Sequence, residues 1–320
     1  MEIGNGVLMM ALSNIPSRTT IKKIMASAQG ADAAAALTGV DAYERQEVLG
    51  RGTMGCVFLV RRRTDGLLLA LKTVVIASSK DRELALNEIH ILRALDHPHI
   101  VRFVDSFVAD EELCIAMDYC AGGDLTELLN RQRAASKRLP EVEVRSMLAQ
   151  LSSALAHVHA RRIVHRDIKS SNIFLRAAPA AGGPSAVTGM PVSGGGRHHL
   201  MLGDFGVAKA LESTKAMACT QCGTPYYLPP EVCNGAPYDV KADLWSLGVL
   251  AYELIALRYP FTGQTLPQLI MRIIGGKYTP LPSSVSGELR LLVTTLLQQR
   301  PQFRTSAEAL LLVRAADECH

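Results

Sequence analysis

An α+β fold in two unequal lobes is what this 320-residue sequence predicts: a small antiparallel sheet with one helix, then a larger, mainly helical unit. Three observations carry the prediction. Short β-branched or apolar runs recur between residues 43 and 117, helical spacing takes over after Ala121-Gly122-Gly123, and the length suits two units of roughly 150 residues.

The elements follow in order. Residues 1–43 read as a flexible extension. Its span from 4 to 31 has no acidic residue and three basic ones (Arg18, Lys22, Lys23), a thin transit-peptide composition against which the plain extension is preferred. The smaller lobe, 44–117, contains strand-like runs at Glu47-Val48-Leu49, Cys56 to Val60 and Leu67 to Ile76. Ser79 to Leu95 has helical spacing and is stopped by His97-Pro98. Two more strands are expected near Ile100 to Phe107 and Leu113 to Met117.

Residues 118–122 form a connector short enough for a ligand to lie between the lobes and touch it. In the larger lobe, 123–320, a short helix near Leu125 to Arg131 precedes a long one after Pro140, where Val144, Met147, Leu148, Leu151, Leu155 and Val158 recur at helical intervals. Residues 176–199 hold three Pro and six Gly between two apolar runs and read as a disordered insertion in a β-hairpin. His198-His199 within it is too small a ligand set for a metal and reads as solvated.

Composition excludes several classes. Apolar residues make up 48% and charged ones 20%, which suits a globular domain. A net charge of +4 is too small to require a nucleic-acid partner, and Arg61-Arg62-Arg63 reads as a solvated strand end. Leu244 to Leu257 is the longest apolar stretch, but Ser246 and Glu253 mark it as a buried helix, so no transmembrane segment is expected. Seven cysteines, an odd number from Cys56 to Cys319, point to a reducing, cytoplasmic setting. The oligomeric state is not legible.

The chemistry resides in a series of motifs. Gly50-x-Gly52-x-x-Gly55-x-Val57 joins two strands, where glycines let backbone N–H groups approach phosphate oxygens; no helix follows, which disfavours a dinucleotide fold. Lys72 lies in the apolar run Leu69-Ala70-Leu71-Lys72-Thr73-Val74 and needs a charged partner or a site opening. Glu88 is the candidate partner, since it shares a helix face with Leu84, Leu92 and Leu95; Glu83 lies on another face. His165-Arg166-Asp167-Ile168-Lys169-Ser170-Ser171-Asn172 follows the long helix, and Asp204-Phe205-Gly206 follows the strand after the insertion. Cys219-x-x-Cys222 has no second pair to complete a zinc site.

This ordered set resembles the eukaryotic protein kinases: Gly-rich loop, strand Lys, helix Glu, His-Arg-Asp loop with its Asn, Asp-Phe-Gly, then Pro230-Glu231. The resemblance covers about residues 44 to 315. It includes Gly223-Thr224-Pro225-Tyr226-Tyr227, Asp243-Leu244-Trp245-Ser246-Leu247-Gly248 and Arg304, which the family pattern pairs with Glu231. Met117-Asp118-Tyr119-Cys120-Ala121-Gly122-Gly123, Asn172-Ile173-Phe174-Leu175 and Cys222-Gly223-Thr224-Pro225-Tyr226-Tyr227-Leu228 resemble the NIMA-related Ser/Thr kinases. The stretch Leu228-Pro229-Pro230-Glu231 departs from them by placing Pro where Ser or Ala is usual.

The resemblance implies a bilobal protein-kinase-like fold and an enzyme that transfers the γ-phosphate of ATP to Ser/Thr hydroxyls of protein substrates, with Mg²⁺ as cofactor. By the same resemblance Lys72, held by Glu88, takes the α- and β-phosphates, Asn172 and Asp204 the Mg²⁺ ions, Asp167 the substrate hydroxyl and Lys169 the γ-phosphate. Backbone at Asp118 and Cys120 would meet adenine between Val57 and Ala70 above and Phe174 below, with Met117 as gatekeeper and Gly50, Gly52 and Gly55 over the phosphates. Thr220 is the first choice for a regulatory phosphosite facing Arg166, and Thr214 the second; Ser213 and Thr224 also lie in that segment. A pseudokinase scaffold is the alternative from another class, but no metal or phosphate residue of the pattern is missing. A small-molecule kinase is disfavoured by the segment around Gly223-Thr224-Pro225 and Pro230-Glu231.

Overall fold

β1 (Tyr43–Gly52), β2 (Gly55–Arg62), β3 (Leu68–Val75), β4 (Phe103–Ala109) and β5 (Glu112–Asp118) form an antiparallel sheet in the order β1-β2-β3-β5-β4. The computed structural model describes residues 38–52, 55–76, 83, 86, 89–109, 112–176, 198–205 and 225–311. Those from Gly39 onward belong to one unit.

Strand periodicity sorts the sheet into two faces. Val60, Leu69, Leu71, Cys114, Ala116 and Phe107 pack as one cluster with Ala42 and Tyr43. On the opposite face Leu113 and Ile115 join the main core, together with Ile89 and Leu92 of the helix that reaches residue 93 and Leu95 just beyond it. Register follows from the same alternation: Val57 opposes Lys72, Leu59 opposes Ala70, Ala70 opposes Met117 and Lys72 opposes Ile115. Val57, Ala70, Lys72 and Met117 therefore share one face, the one turned away from the Leu69–Leu71 cluster.

The helices start and stop where local chemistry satisfies their ends. Asp124 caps α1 (Leu125–Ala134) by accepting from the Glu127 N–H. α2 (Glu141–Ala160) follows Pro140 and carries Glu141 and Glu143 in its first turn, favourable at the positive end of the helix. After the short α3 (Pro230–Cys233), Asp239 caps α4 (Val240–Ala256), and Leu257 ends it at φ +56°. Thr265 caps α5 (Leu266–Gly275), which Gly276 terminates at φ +67°; Ser286 caps α6 (Gly287–Leu296). α4 is buried nearly all round, so the stretch Leu244 to Leu257 is the core helix that its Ser and Glu implied. Among the described residues no helix is long and apolar enough to cross a membrane.

Two boundaries differ from the sequence expectation. Gly39–Ala42 form a 3-10 turn and Tyr43 is buried, stacked on Phe107 at 5.6 Å, so residues 39–43 are part of the fold and not of an extension. Arg176 and His199 also belong to the fold: they pair across β6 (Ile173–Arg176) and β7 (His199–Leu202). His198 is not simply solvated, because its ring bonds Glu143 and its carbonyl accepts from Gln150 Nε2 at 3.1 Å. The core of the expected insertion lies outside the described residues.

The β6–β7 hairpin knits the lobes together. Val101 N–H donates to the Leu202 carbonyl at 2.9 Å and Leu202 N–H to that of His99 at 2.8 Å. A file of imidazoles accompanies this seam, His157 to His97 at 5.0 Å, His97 to His99 at 5.7 Å and His99 to His199 at 4.7 Å between ring centres.

Candidate active site

The loop after α2 is held from beneath by a carboxylate with no solvent exposure. Asp243 of α4 accepts from the His165 N–H at 2.9 Å, the Arg166 N–H at 3.0 Å and His159 Nε2 at 2.9 Å. Arg166 sits at φ +70°, a conformation that costs a non-glycine residue energy and that the Asp243 bond offsets. His165 is buried. Its Nε2–H donates to the Gly203 carbonyl at 3.1 Å, its Nδ1 accepts from the Asp167 N–H at 3.3 Å, and its ring meets Phe205 at 4.6 Å. Burial lowers its basicity further than the neighbouring carboxylates raise it, in keeping with that neutral tautomer.

On this support three expected residues converge. Lys169 Nζ lies 2.8 Å from Asp167 Oδ2, and Asn172 Nδ2 donates both to the Asp167 carbonyl at 2.8 Å and to Oδ2 at 3.0 Å. Asn172 thus spends its amide N–H groups on Asp167, and its carbonyl oxygen keeps its acceptor capacity. From the sheet, Lys72 Nζ reaches Asp204 Oδ1 at 2.8 Å. Asp204 stands at φ +51° with 46% of its side chain exposed. Desolvation works to raise its pKa, and the charge and hydrogen bond of Lys72 together overcome that, so the carboxyl titrates below the ordinary value.

The Gly-rich segment closes the β1–β2 hairpin, with Gly50 opposite Val57 and Gly52 opposite Gly55. A Cβ on Gly55 would lie 1.7 Å from the Thr73 carbonyl oxygen, so this position requires glycine, whereas Gly50 faces open space. Phe174 of β6 opposes Met201, and its ring edge closes on Gly203, where an added Cβ would lie 2.8 Å from it. Met117 and Asp118 end β5, and Cys120 follows in the connector, its thiol pushed up to about 11 by burial. Glu88, Thr214 and Thr220, and with them Cys219-x-x-Cys222, lie outside the described residues.

Further along, Arg304 forms a two-pronged pair with Glu231 at 2.6 and 2.7 Å. Its guanidinium is 5.0 Å from the Trp245 ring, and the residue is 2% exposed, so it is an internal strut. Three residues matter that sequence reasoning gave no role. Asp243 carries the loop, while Tyr227 donates to the buried Glu253 carboxylate and accepts from the Ser170 N–H at 3.3 Å. An acid inside the apolar runs of α4 was the available signal, the same one that singled out Lys72.

Comparison with known proteins agrees with this geometry. A family model described as the protein kinase domain matches residues 43–313. The probable serine/threonine-protein kinase nek3 of Dictyostelium discoideum is 38% identical over 275 residues, 85% of this chain and 23% of that protein. Serine/threonine-protein kinase Nek3 of Mus musculus is 38% identical over 272 residues, 85% of this chain and 49% of its own length. Serine/threonine-protein kinase nekl-2 of Caenorhabditis elegans is 35% identical over 281 residues, 85% of this chain and 73% of its own. The chain thus spans about a quarter and about half of the first two relatives. With the two lobes, the Asp167 loop and the Arg304–Glu231 strut, these matches establish that the chain belongs to the protein kinase family, in its NIMA-related serine/threonine branch.

Proposed function

We propose that the chain is an ATP-dependent protein serine/threonine kinase that transfers the γ-phosphate of ATP to Ser or Thr hydroxyls of protein substrates. The observation that carries this reading is the hydrogen-bonded group Asp167, Lys169 and Asn172 in one lobe, with Lys72 of the other lobe meeting Asp204 beside it.

Phosphoryl transfer needs positioning and charge neutralisation more than covalent chemistry. Asp167, tied to Asn172 and Lys169, is fixed to accept a hydrogen bond from the substrate hydroxyl. Lys169 and Lys72 bring positive charge to the transferring phosphate and its neighbours. The backbone of Asp118 and Cys120, with Val57, Ala70, Met117 and Phe174, forms the adenine side of the cleft, and Gly50, Gly52 and Gly55 let the β1–β2 hairpin lie over the phosphates. Protein kinases generally use Mg²⁺ as well, which when bound neutralises charge on the phosphate oxygens. The donor set suits it: the Asp204 carboxylate and the Asn172 carbonyl are hard oxygen ligands, and Mg²⁺ in such sites takes one or two protein ligands, completing its shell with water and phosphate.

Lys169 two positions after Asp167 supports Ser/Thr over Tyr as acceptor. The cysteine usage supports a cytoplasmic setting. Thr220 is the proposed activating phosphosite, with Arg166, exposed beside Asp167, as the group that would receive the phosphate, and Thr214 as the second candidate. Phosphatase treatment of the wild type should lower turnover and Thr220→Ala should mimic it; equal turnover in all three samples rejects that switch.

The test of the main reading is transfer of labelled phosphate from ATP to Ser, Thr and Tyr peptides with and without Mg²⁺. Transfer to Ser and Thr, dependent on Mg²⁺ and lost in Lys72→Met and Asp204→Ala, is expected. Full turnover by the Asp204 variant overturns the assignment.

A further inference from the structure

The connector between the lobes begins at Asp118, whose side chain, 13% exposed, holds two guanidinium groups. Arg102 Nη2 donates to Oδ1 at 3.0 Å and Arg176 Nη2 to Oδ2 at 3.3 Å. Arg102 immediately precedes β4 in the smaller lobe, and Arg176 is the last residue of β6 in the larger one. One carboxylate is therefore shared by the two lobes at the point where the chain crosses between them.

The backbone is pinned at the same two ends. Asp118 N–H donates to the Arg102 carbonyl at 3.0 Å, and Gly122 N–H donates to that of Leu175, the neighbour of Arg176, at 2.9 Å. Between the pins Tyr119, Cys120 and Ala121 lie outside the sheet, with the Cys120 carbonyl accepting from the Gly123 N–H at 3.3 Å, so their direction follows that of the two pinned ends. The Arg176 charge also reaches three neighbouring groups: it opposes the burial that raises the Cys120 thiol and adds to the burial that lowers His99 and His199. Cleft opening turns one lobe about this connector, so a bond from each lobe to one carboxylate restrains that rotation.

We infer that Arg102 and Arg176 are positioning residues for nucleotide binding, which by sharing the Asp118 carboxylate hold the connector backbone at Asp118 and Cys120 in register with the hydrogen-bonding edge of adenine. The inference rests on the ATP-dependent function proposed above. Neither arginine touches the reacting atoms. Their effect passes through backbone hydrogen bonds whose strength falls steeply with angle, so it falls on nucleotide affinity and leaves phosphate transfer from bound ATP intact.

The experiment compares wild type, Arg176→Ala, Arg176→Lys and Arg102→Ala by calorimetric binding of ATP, by kcat, and by separate KM values for ATP and for a Ser/Thr peptide. Arg176→Ala should raise Kd and KM for ATP about fivefold, the scale of one partly exposed charge pair, with kcat and peptide KM within about twofold. Arg176→Lys should recover most of the loss. Arg102 is the more exposed partner, and Arg102→Ala should show the same split even if Arg176→Ala folds poorly. A wild type that binds ATP, beside arginine variants of unchanged ATP affinity, overturns the inference alone. So does a loss spread equally over kcat, peptide KM and melting temperature that Lys does not rescue. A wild type that does not bind ATP overturns the proposed function, and this inference with it.

Discussion

In the larger lobe Asp167 stands on a loop whose backbone is tied to Asp243, a carboxylate with no exposure, inside a core that includes Trp245, Tyr252 and Phe261. In the smaller lobe Lys72 projects from a strand between half-buried and buried neighbours on the same face, Val57 and Met117 half-buried, Ala70 and Ile115 buried. The Asp167 wall lies deep in the large core of the helical lobe; the Lys72 wall is one face of a sheet that meets that core through Leu113 and Ile115 and carries a small cluster of its own on the opposite face. Rigidity is placed differently in the two: the wall that carries Asp167 is anchored through buried polar bonds, while the wall that carries Lys72 meets Asp204 from a strand held by sheet register. Substitutions in the two walls should therefore separate stability from activity.

The largest stability effect is expected at Arg304. Arg304→Ala removes a two-pronged partner and leaves Glu231 with a desolvated charge, for a loss of about 3–5 kcal/mol by chemical denaturation. Arg304→Lys, which cannot bond in a fork, should recover only part. Asp243→Ala comes next, about 3 kcal/mol, because the buried N–H of His165 and that of Arg166 lose their acceptor; a fall in turnover larger than the fall in folded fraction would tie Asp243 to the placement of Asp167. In the smaller lobe, Val60→Ala empties part of the sheet's own cluster and should cost about 2 kcal/mol. An equal loss at Val60 and Arg304 would break the distinction between the walls.

Much of this contrast was legible in the sequence, and for a physical reason. A charged residue inside an apolar run, such as Lys72, and a polar cluster bordering short buried strands, such as Asp167 to Asn172, are expensive unless they form a site. Glycine spacing marked the β1–β2 hairpin, and helical spacing marked the apolar residues Val144, Met147, Leu148, Leu151, Leu155 and Val158 on the buried face of α2, without Glu143, Ser152 and Ala154, which are buried there too. The rest depended on partners far along the chain. Tyr43 joins the fold because it stacks on Phe107, and Arg176 and His199 join it because they pair with each other and contact Asp118 and His99. Loop-like composition between Arg176 and His199 hid that pairing, and the work of Asp118 was read as backbone alone because its two arginines come from different lobes.

The seam between the walls carries a pH dependence with a definite sign. Burial is the main cause holding His97, His99, His157 and His199 below the ordinary histidine value of 6.5, His97 and His199 at about 4. Between pH 6.5 and about 4 the unfolded chain binds protons that the folded chain refuses, so stability falls as pH drops through that window. Asp204 acts lower down: its carboxyl is depressed, so its contribution is present above the unfolded value of 3.8 and is lost only as pH falls below it. Melting temperature measured from pH 8 to pH 4 should decline below 6.5, and His97→Gln with His199→Gln should flatten the decline. A wild-type curve flat across that range would remove the histidine seam from the account. The smallest effect is expected at the exposed Arg145–Glu288 pair, where Arg145→Ala should change stability by less than about 1 kcal/mol.

Asp167→Asn separates the proposed positioning of an acceptor hydroxyl by Asp167 from the folding of the wall that holds it. The variant is nearly isosteric on a loop held by Asp243, so its melting temperature should stay within a few degrees of the wild type. Labelled phosphate transfer from ATP to a degenerate Ser/Thr peptide library should fall by at least about 100-fold, the scale of a lost general base, with ATP affinity unchanged. Wild-type turnover in a folded Asp167→Asn protein, free of contaminating kinase, would show that Asp167 does not position the acceptor hydroxyl.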